Sequence, residues 1–178
     1  MANVNDVDGV PEIMGEPIPE ERVIDSMSEW NDLLNDPSRS SISTLNLKIF
    51  GDDQNESLLI SGDVFIDLKS LIVNNTSCGG IRGITITGLD KLESVRIGNS
   101  CFNMLDNTSK NAIFKVTHCR NLKTITVGEH SLKKLKRFEV FDNPCLETIT
   151  WGNGSFDDCA VFSFSGTLVF FHYCFREW

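Results

Sequence analysis

Leu122-x-x-Ile125-x-Val127-Gly128 decides the fold, because the chain writes the same phrase several times. It returns 24 residues later as Leu146-x-x-Ile149-x-Trp151-Gly152 and stands 30 residues earlier as Leu92-x-x-Val95-x-Ile97-Gly98. Upstream it reads Leu68-x-x-Leu71-x-Val73 and, more weakly, Thr44-x-x-Leu47-x-Ile49. The middle positions 47, 71, 95, 125 and 149 are thus separated by 24, 24, 30 and 24 residues. A unit this short cannot bury its own apolar face and must stack on its neighbours, so the period predicts a solenoid.

Each unit holds two apolar alternations. The first is the quoted element, whose inward residues alternate with Ser, Thr and charged side chains as in a half-buried strand. The second follows eleven residues later: Ile84-x-Ile86 after Val73, Phe138-x-Val140 after Val127, and Phe162-x-Phe164 after Trp151. Between Ile97 and Phe114-x-Val116 the distance is six residues longer, which places an insertion between about Asn103 and Asn111. Its Asp106-Asn107-Thr108-Ser109-Lys110-Asn111 is polar and turn-forming.

Stacking puts equivalent residues in columns about 4.8 Å apart. Leu68, Leu92, Leu122 and Leu146 should form one column, and Leu47, Leu71, Val95, Ile125 and Ile149 another. Phe102, Leu132 and Phe156 should form a third with Cys78 in the earlier rung, facing Ile84, Phe114, Phe138 and Phe162 on the opposite wall.

With its continuation the element reads Leu122-x-x-Ile125-x-Val127-x-x-His130-x-Leu132. This resembles the leucine-rich repeat, L-x-x-L-x-L-x-x-N-x-L, within its period of about 20–29 residues. Ile97-Gly98-Asn99-Ser100-Cys101-Phe102 is similar to the BspA-like (bacterial surface antigen) group of such repeats, found in bacteria and unicellular eukaryotes. The resemblance runs from about Thr44 to the C-terminus. It implies a curved, mainly β, parallel stack used for protein or surface recognition and no catalysed reaction. The asparagine position of the motif carries Thr76, Ser100, His130 and Gly154, so an asparagine ladder is not expected there.

On the concave face of such a stack the outward strand residues form rows. Ser70, Ser94, Thr124 and Thr148 make one, Ile72, Arg96, Thr126 and Thr150 the next; these eight are the candidate binding residues. A flanking row, Lys69, Glu93, Lys123 and Glu147, alternates in sign and is expected to pair between rungs. The expected function is a non-catalytic recognition or scaffold module for a protein partner. The alternatives are a cell-surface or adhesion-type repeat fragment and, least favoured, a β-helix enzyme acting on polysaccharide. That last class needs clustered acids on one face, where this chain has Ser and Thr.

The flanks differ from the repeats. Residues 1–36 carry ten acidic side chains and one basic, Arg22, while the remainder carries fifteen of each, so the net charge of −9 lies in the N-terminal part. Residues 1–21, with Pro11, Pro17 and Pro19, are expected to form a flexible acidic arm. Val23, Ile24, Met27, Trp30, Leu33 and Leu34 fall at helical spacing and predict one amphipathic helix over 22–36, ended by Pro37 and capping the first rung of a solenoid over 40–178. At the other end, adding 24 to Leu146 and Ile149 predicts a last, incomplete rung with Phe170 and Tyr173 in those positions. An unclosed rung is sticky, so either a partial product or self-association is expected.

Composition excludes several classes. The repeats are neutral overall and lack the basic stripe that nucleic-acid binding requires. Lys133, Lys134, Lys136 and Arg137 are the only basic cluster, read as a solvated turn. No stretch approaches a membrane span, and the N-terminus lacks the regions of a secretory signal. An intracellular location with reduced thiols is therefore expected, a surface location only if the chain is a fragment. The sequons at Asn55, Asn74, Asn75, Asn107 and Asn153 then carry no meaning. Cys78, Cys101, Cys119, Cys145, Cys159 and Cys174 contain no C-x-x-C pair, so neither a metal nor a cofactor is expected. His118 and Cys119 are adjacent on an extended segment and should face opposite sides, His130 and His172 lack ligand companions, and Asp157 and Asp158 read as turn residues.

Overall fold

A computed structural model describes residues 20–50, 57–103, 112–166 and 170–173. The predicted insertion, but for its first residue Asn103 and its flank Ala112, and most of the predicted acidic arm lie outside these residues. The chain is mainly β and winds into a parallel solenoid of about six turns. Its elements in order are β1 (Glu20–Ile24), α1 (Met27–Asn35), a 3₁₀ turn (Pro37–Ser41), β2 (Ile42–Leu47), β3 (Ser57–Ser61), β4 (Ser70–Val73) and β5 (Gly83–Thr87). They continue as β6 (Ser94–Ile97), β7 (Ile113–Thr117), β8 (Thr124–Val127), β9 (Arg137–Phe141), β10 (Thr148–Trp151), β11 (Val161–Ser165) and β12 (Phe170–Tyr173). One sheet, here sheet A, runs β1-β2-β4-β6-β8-β10-β12; the other, sheet B, runs β3-β5-β7-β9-β11.

The expected columns exist in the middle rungs and are buried there. Leu68, Leu92, Leu122 and Leu146 are buried, as are Leu71, Val95, Ile125 and Ile149. Across the core, Phe114 and Phe138 stack with ring centroids 5.2 Å apart, continuing the column of Ile84. Leu58-x-Ile60 in β3, buried and in register with Ile84 and Ile86, adds a rung to sheet B. It stands eleven residues after Leu47, the spacing of the other rungs, so the same rule locates it.

Two registers differ from the plain period. In sheet A, Leu45 pairs with Leu71 and Leu47 with Val73, so the first rung reads Ile42-x-x-Leu45-x-Leu47, two residues earlier than Thr44-x-x-Leu47-x-Ile49. At the other end Phe171, not Tyr173, pairs with Ile149, and Phe170 pairs with Thr148. A shift of two keeps every side chain on its side of a strand, so the alternation alone does not distinguish the registers. The corner lengths do. Eleven residues separate Ile60 from Leu71 and seven separate Phe164 from Phe171, against nine for Ile86 to Val95 and Val140 to Ile149.

The predicted helix also begins later. Arg22, Val23 and Ile24 lie in β1, with Glu20 and Glu21 of the predicted arm, because they pair in parallel with β2. Ile24 is fully buried there and its carbonyl accepts from Lys48 N–H. Two β-branched residues with a sheet edge to join prefer the ladder to a first helical turn. The helix itself starts at Met27, where Ser26 Oγ accepts from Glu29 N–H at 3.1 Å and the Glu29 carboxylate accepts from Asp25 N–H at 2.8 Å. Trp30 and Leu33 are buried, and Trp30 stacks on Phe65 at 5.9 Å.

The corners after β4, β6, β8 and β10 are built by one repeated device. Thr76 and Cys78, Ser100 and Phe102, His130 and Leu132, and Gly154 and Phe156 all adopt φ between 55° and 65°. A left-handed residue flanked by ordinary ones turns successive N–H groups in opposite directions along the stack. The first of each pair donates forward, Thr76 to Asn99 O and Ser100 to Glu129 O; the second donates backward, Cys78 to Ile49 O and Leu132 to Cys101 O. Each non-glycine residue in that region costs about 1–2 kcal/mol, offset here by rung-to-rung hydrogen bonds. Between them stands a buried hydroxyl or thiol: Ser131 Oγ accepts from Cys101 N–H and donates to Gly98 O, and Ser155 Oγ repeats this with Ser131 N–H and Gly128 O.

Leu122→Ala should lower unfolding stability by about 2–5 kcal/mol, because the neighbouring rungs hold the cavity open. An unchanged denaturant midpoint would contradict the register. A Cβ at Gly128 would lie 2.6 Å from the Gly98 carbonyl carbon, so Gly128→Ala should destabilise by about 1–3 kcal/mol in the same melts, where an open glycine site would gain.

Candidate functional site

Sheet A carries the predicted rows on its outer side. Ser70, Ser94, Thr124 and Thr148 are mutual register partners, as are Ile72, Arg96, Thr126 and Thr150. Arg96 and Thr126 are exposed and the other six are half-buried by their row neighbours. Hydroxyls meet directly in one place, where Ser94 Oγ donates to Ser70 Oγ at 3.2 Å. Thr44 and Asn46 in β2 extend both rows by a rung.

The flanking row behaves differently from its expectation. Lys69, Glu93, Lys123 and Glu147 are exposed, and among the described residues they form no ion pair with one another. They are linked through the backbone, with Glu93 N–H donating to Lys69 O and Glu147 N–H to Lys123 O. Long exposed side chains gain little from pairing in water, so nothing holds them together. The basic cluster is compensated instead: Lys133 faces Asp157 at 3.9 Å, Lys134 lies 3.1 Å from Asp158, and Lys136 lies 3.8 Å from Asp158. The hydrogen bond from Lys134 holds the Asp158 carboxyl below the usual carboxylate range.

Where the outer face of sheet A meets its corner, a groove of about 400 Å³ is lined by Asn99, Thr126, Val127, Gly128, Glu129, Thr150, Trp151 and Gly152. Of the eight candidates it contains Thr126 and Thr150; the other six lie on the strands outside it. Gly128 and Gly152 in its lining are where each corner rests against the one before. Asn75 Oδ1 accepts from Asn99 N–H at 2.8 Å, and Asn99 Oδ1 from Glu129 N–H at 2.9 Å. An asparagine ladder therefore does exist, one residue before the position at which the repeat motif carries it. The Gly-Asn dipeptide Gly98-Asn99 was its signal, since an amide beside a glycine reaches the next backbone.

A second groove, of about 510 Å³, lies at the corner after sheet B, lined by Gly88, Asp90, His118, Arg120, Asp142, Pro144 and Gly166. Its polar side chains face one another: His118 Nε2 stands 3.5 Å from Asp142 Oδ2, and Arg120 Nε 3.6 Å from Asp90 Oδ1. His118 and Cys119 do face opposite ways. His118 is exposed, while Cys119 is buried with its N–H on Asn143 Oδ1, so the imidazole cannot take the thiol proton. Burial pushes the Cys119 thiol up to about 11 and raises those of Cys78 and Cys101 as well, the latter against several hydrogen bonds that favour the thiolate. Among the described residues no group of three or more His, Cys, Asp and Glu side chains is placed to hold a metal ion, and no helix is long and apolar enough to cross a membrane.

No protein-family model matches the chain, and no curated protein or solved structure matches it significantly.

The thiols make this arrangement measurable. Iodoacetamide at mildly alkaline pH should label exposed Cys145 readily and leave Cys78, Cys101 and Cys119 unlabelled until the chain is unfolded, because thiolate and access are both required. Peptide mapping that finds Cys119 alkylated in the native protein would place it outside the core.

Proposed function

We propose that the chain is a non-catalytic recognition module of the leucine-rich-repeat type, BspA-like in its Ile-Gly-x-x-Ser/Cys-Phe corners, that binds a protein partner on the outer face of sheet A. The reading rests chiefly on the register of that face. Five rungs present hydroxyl and amide side chains, with Ile72 and Arg96 among them, in two straight rows, which end on a groove at Thr126 and Thr150. Such a surface offers an extended set of donors and acceptors with little charge, suited to a large partner contacted at many points. Energy would concentrate where an anchor exists, and Arg96 and the groove beside Trp151 are the available ones. In this reading α1 caps the first rung, as Trp30 on Phe65 indicates, and the corner hydroxyls and αL residues serve the stack. Glu129 stands on the groove without a second carboxylate among its lining residues.

Replacing Arg96, Thr126 and Thr150 together by Glu should weaken partner capture by the 178-residue chain more than tenfold without shifting its melting midpoint, since none of the three is buried. Capture that survives unchanged would move the binding surface to another face.

A further inference from the structure

Burial sets a few acidic side chains apart from the rest. Among the described residues most Asp and Glu are exposed, but Asp36, Asp67, Glu129 and Asp158 are half-buried and Glu139 is buried. Four of these five are partnered. Asp36 accepts from Ser38 N–H at 2.8 Å, Asp67 pairs with Lys91, Asp158 with Lys134 at 3.1 Å, and Glu139 with Arg137. The Glu129 carboxylate alone has neither a cation nor a hydrogen-bond donor against it among the described residues. A carboxylate drawn partly out of water without a partner is unfavourable, and a cation from elsewhere relieves it. Its position is fixed all the same. Glu129 N–H donates to Asn99 Oδ1 at 2.9 Å, and its carbonyl accepts from Ser100 N–H at 2.9 Å. A Cβ at Gly152 would lie 2.7 Å from Glu129 Cγ, so the side-chain stem rests on the corner of the next rung. Asn75 and Asn99, at the equivalent positions, use their side-chain oxygens to hold the following rung; Glu129 does not.

We infer that the groove holding Glu129 is a subsite for a guanidinium, the side chain of an arginine on the protein partner. The subsite belongs to the sheet A face and rests on the reading of that face as a protein-binding surface. Charge selects a cation, because Glu129 is the only charged residue lining the groove. The neighbouring groups select a planar, forked one. Thr126 and Thr150 are register partners on adjacent strands, about 4.8 Å apart, and with the carboxylate they set oxygen acceptors along one groove. A guanidinium presents five N–H donors in a rigid fork that can meet several such acceptors together, whereas an ammonium is a compact point charge. The groove of about 400 Å³ has room for one long side chain entering from solvent. The chain's own Arg96 stands in register with Thr126 one rung back and forms no ion pair with Glu129.

The probe is N-acetyl-arginine amide, titrated into the isotopically labelled 178-residue chain and followed by backbone amide chemical shifts. Saturable shifts should appear at Gly128, Glu129 and Gly152. N-acetyl-lysine amide should bind more weakly, and the neutral isostere N-acetyl-citrulline amide about tenfold more weakly or worse. Glu129→Gln should weaken arginine binding about tenfold with its circular dichroism melt retained. Glu147→Gln, which removes an exposed acid outside the groove, should bind as wild type does. Absence of saturable shifts, citrulline or lysine amide bound as tightly as arginine, Glu129→Gln binding unchanged, or equal loss in Glu147→Gln would each overturn the inference. Failure of the face and failure of the subsite read differently. If the arginine shifts are absent while the triple Arg96, Thr126 and Thr150 variant loses capture, the subsite falls and the face stands. If that variant captures its partner unchanged, the face falls even where the shifts are present.

Discussion

Every residue in a parallel solenoid must fit against its own equivalent one rung away, and the corners are where this constraint is tightest. Strands solve it easily, because a parallel ladder is the same at every step. A corner has to turn the chain and still present donors and acceptors to the rung on either side. Here that is done with two left-handed residues separated by a buried hydroxyl or thiol, repeated from Thr76 to Cys78 through Gly154 to Phe156. Glycines at 98, 128 and 152 let one corner lie directly on the preceding one. Remove that closeness and neither the asparagine ladder nor the rows of sheet A would keep their spacing.

The apolar columns follow from the corners and not the reverse. Phe102, Leu132 and Phe156 enter the core from left-handed positions, and Phe156 meets Phe138 of sheet B edge-on across the coil. The burial of Phe138 among Phe114, Phe156 and Phe162 shows how three rungs share one cluster. Within that cluster Phe138 is buried while Phe162, in the last described layer, is 47% exposed. A core assembled by stacking is complete only where something lies on its last layer, and Trp30 and Leu33 of α1 contribute buried side chains to it on one side.

Much of this was legible. The alternation within Leu122-x-x-Ile125-x-Val127 identified the inward side of every middle rung, and the eleven-residue spacing identified the second wall. The rows Ser70 to Thr148 and Ile72 to Thr150 were likewise readable, because identical registers in successive rungs leave no freedom in the outward positions. The first and last rungs were not readable from the period. A register shift of two preserves polarity, and only the lengths of the corners Ile60 to Leu71 and Phe164 to Phe171 separate the choices. The strand at Arg22 to Ile24 was hidden for another reason: its apolar residues suit a helix locally, and the pairing partner lies some twenty residues on. The asparagine ladder lies at Asn75 and Asn99, one residue before the motif position held by Thr76 and Ser100, since consensus spacing says nothing about which side chain reaches the next backbone.

The sequence by itself determined the repeat, the two walls of the core and the outward rows, because periodicity and alternation are local properties of the chain. The tertiary structure decided the rest: which residue stacks on which in the end rungs, that Glu129 and Asn99 join Thr126 and Thr150 around a groove, that the lysines at 133, 134 and 136 are neutralised by the next rung, and that Phe162 is exposed while Leu58 is buried. Those facts depend on contacts between rungs 24 to 30 residues apart. Only the closed coil brings such distant positions within a few ångströms.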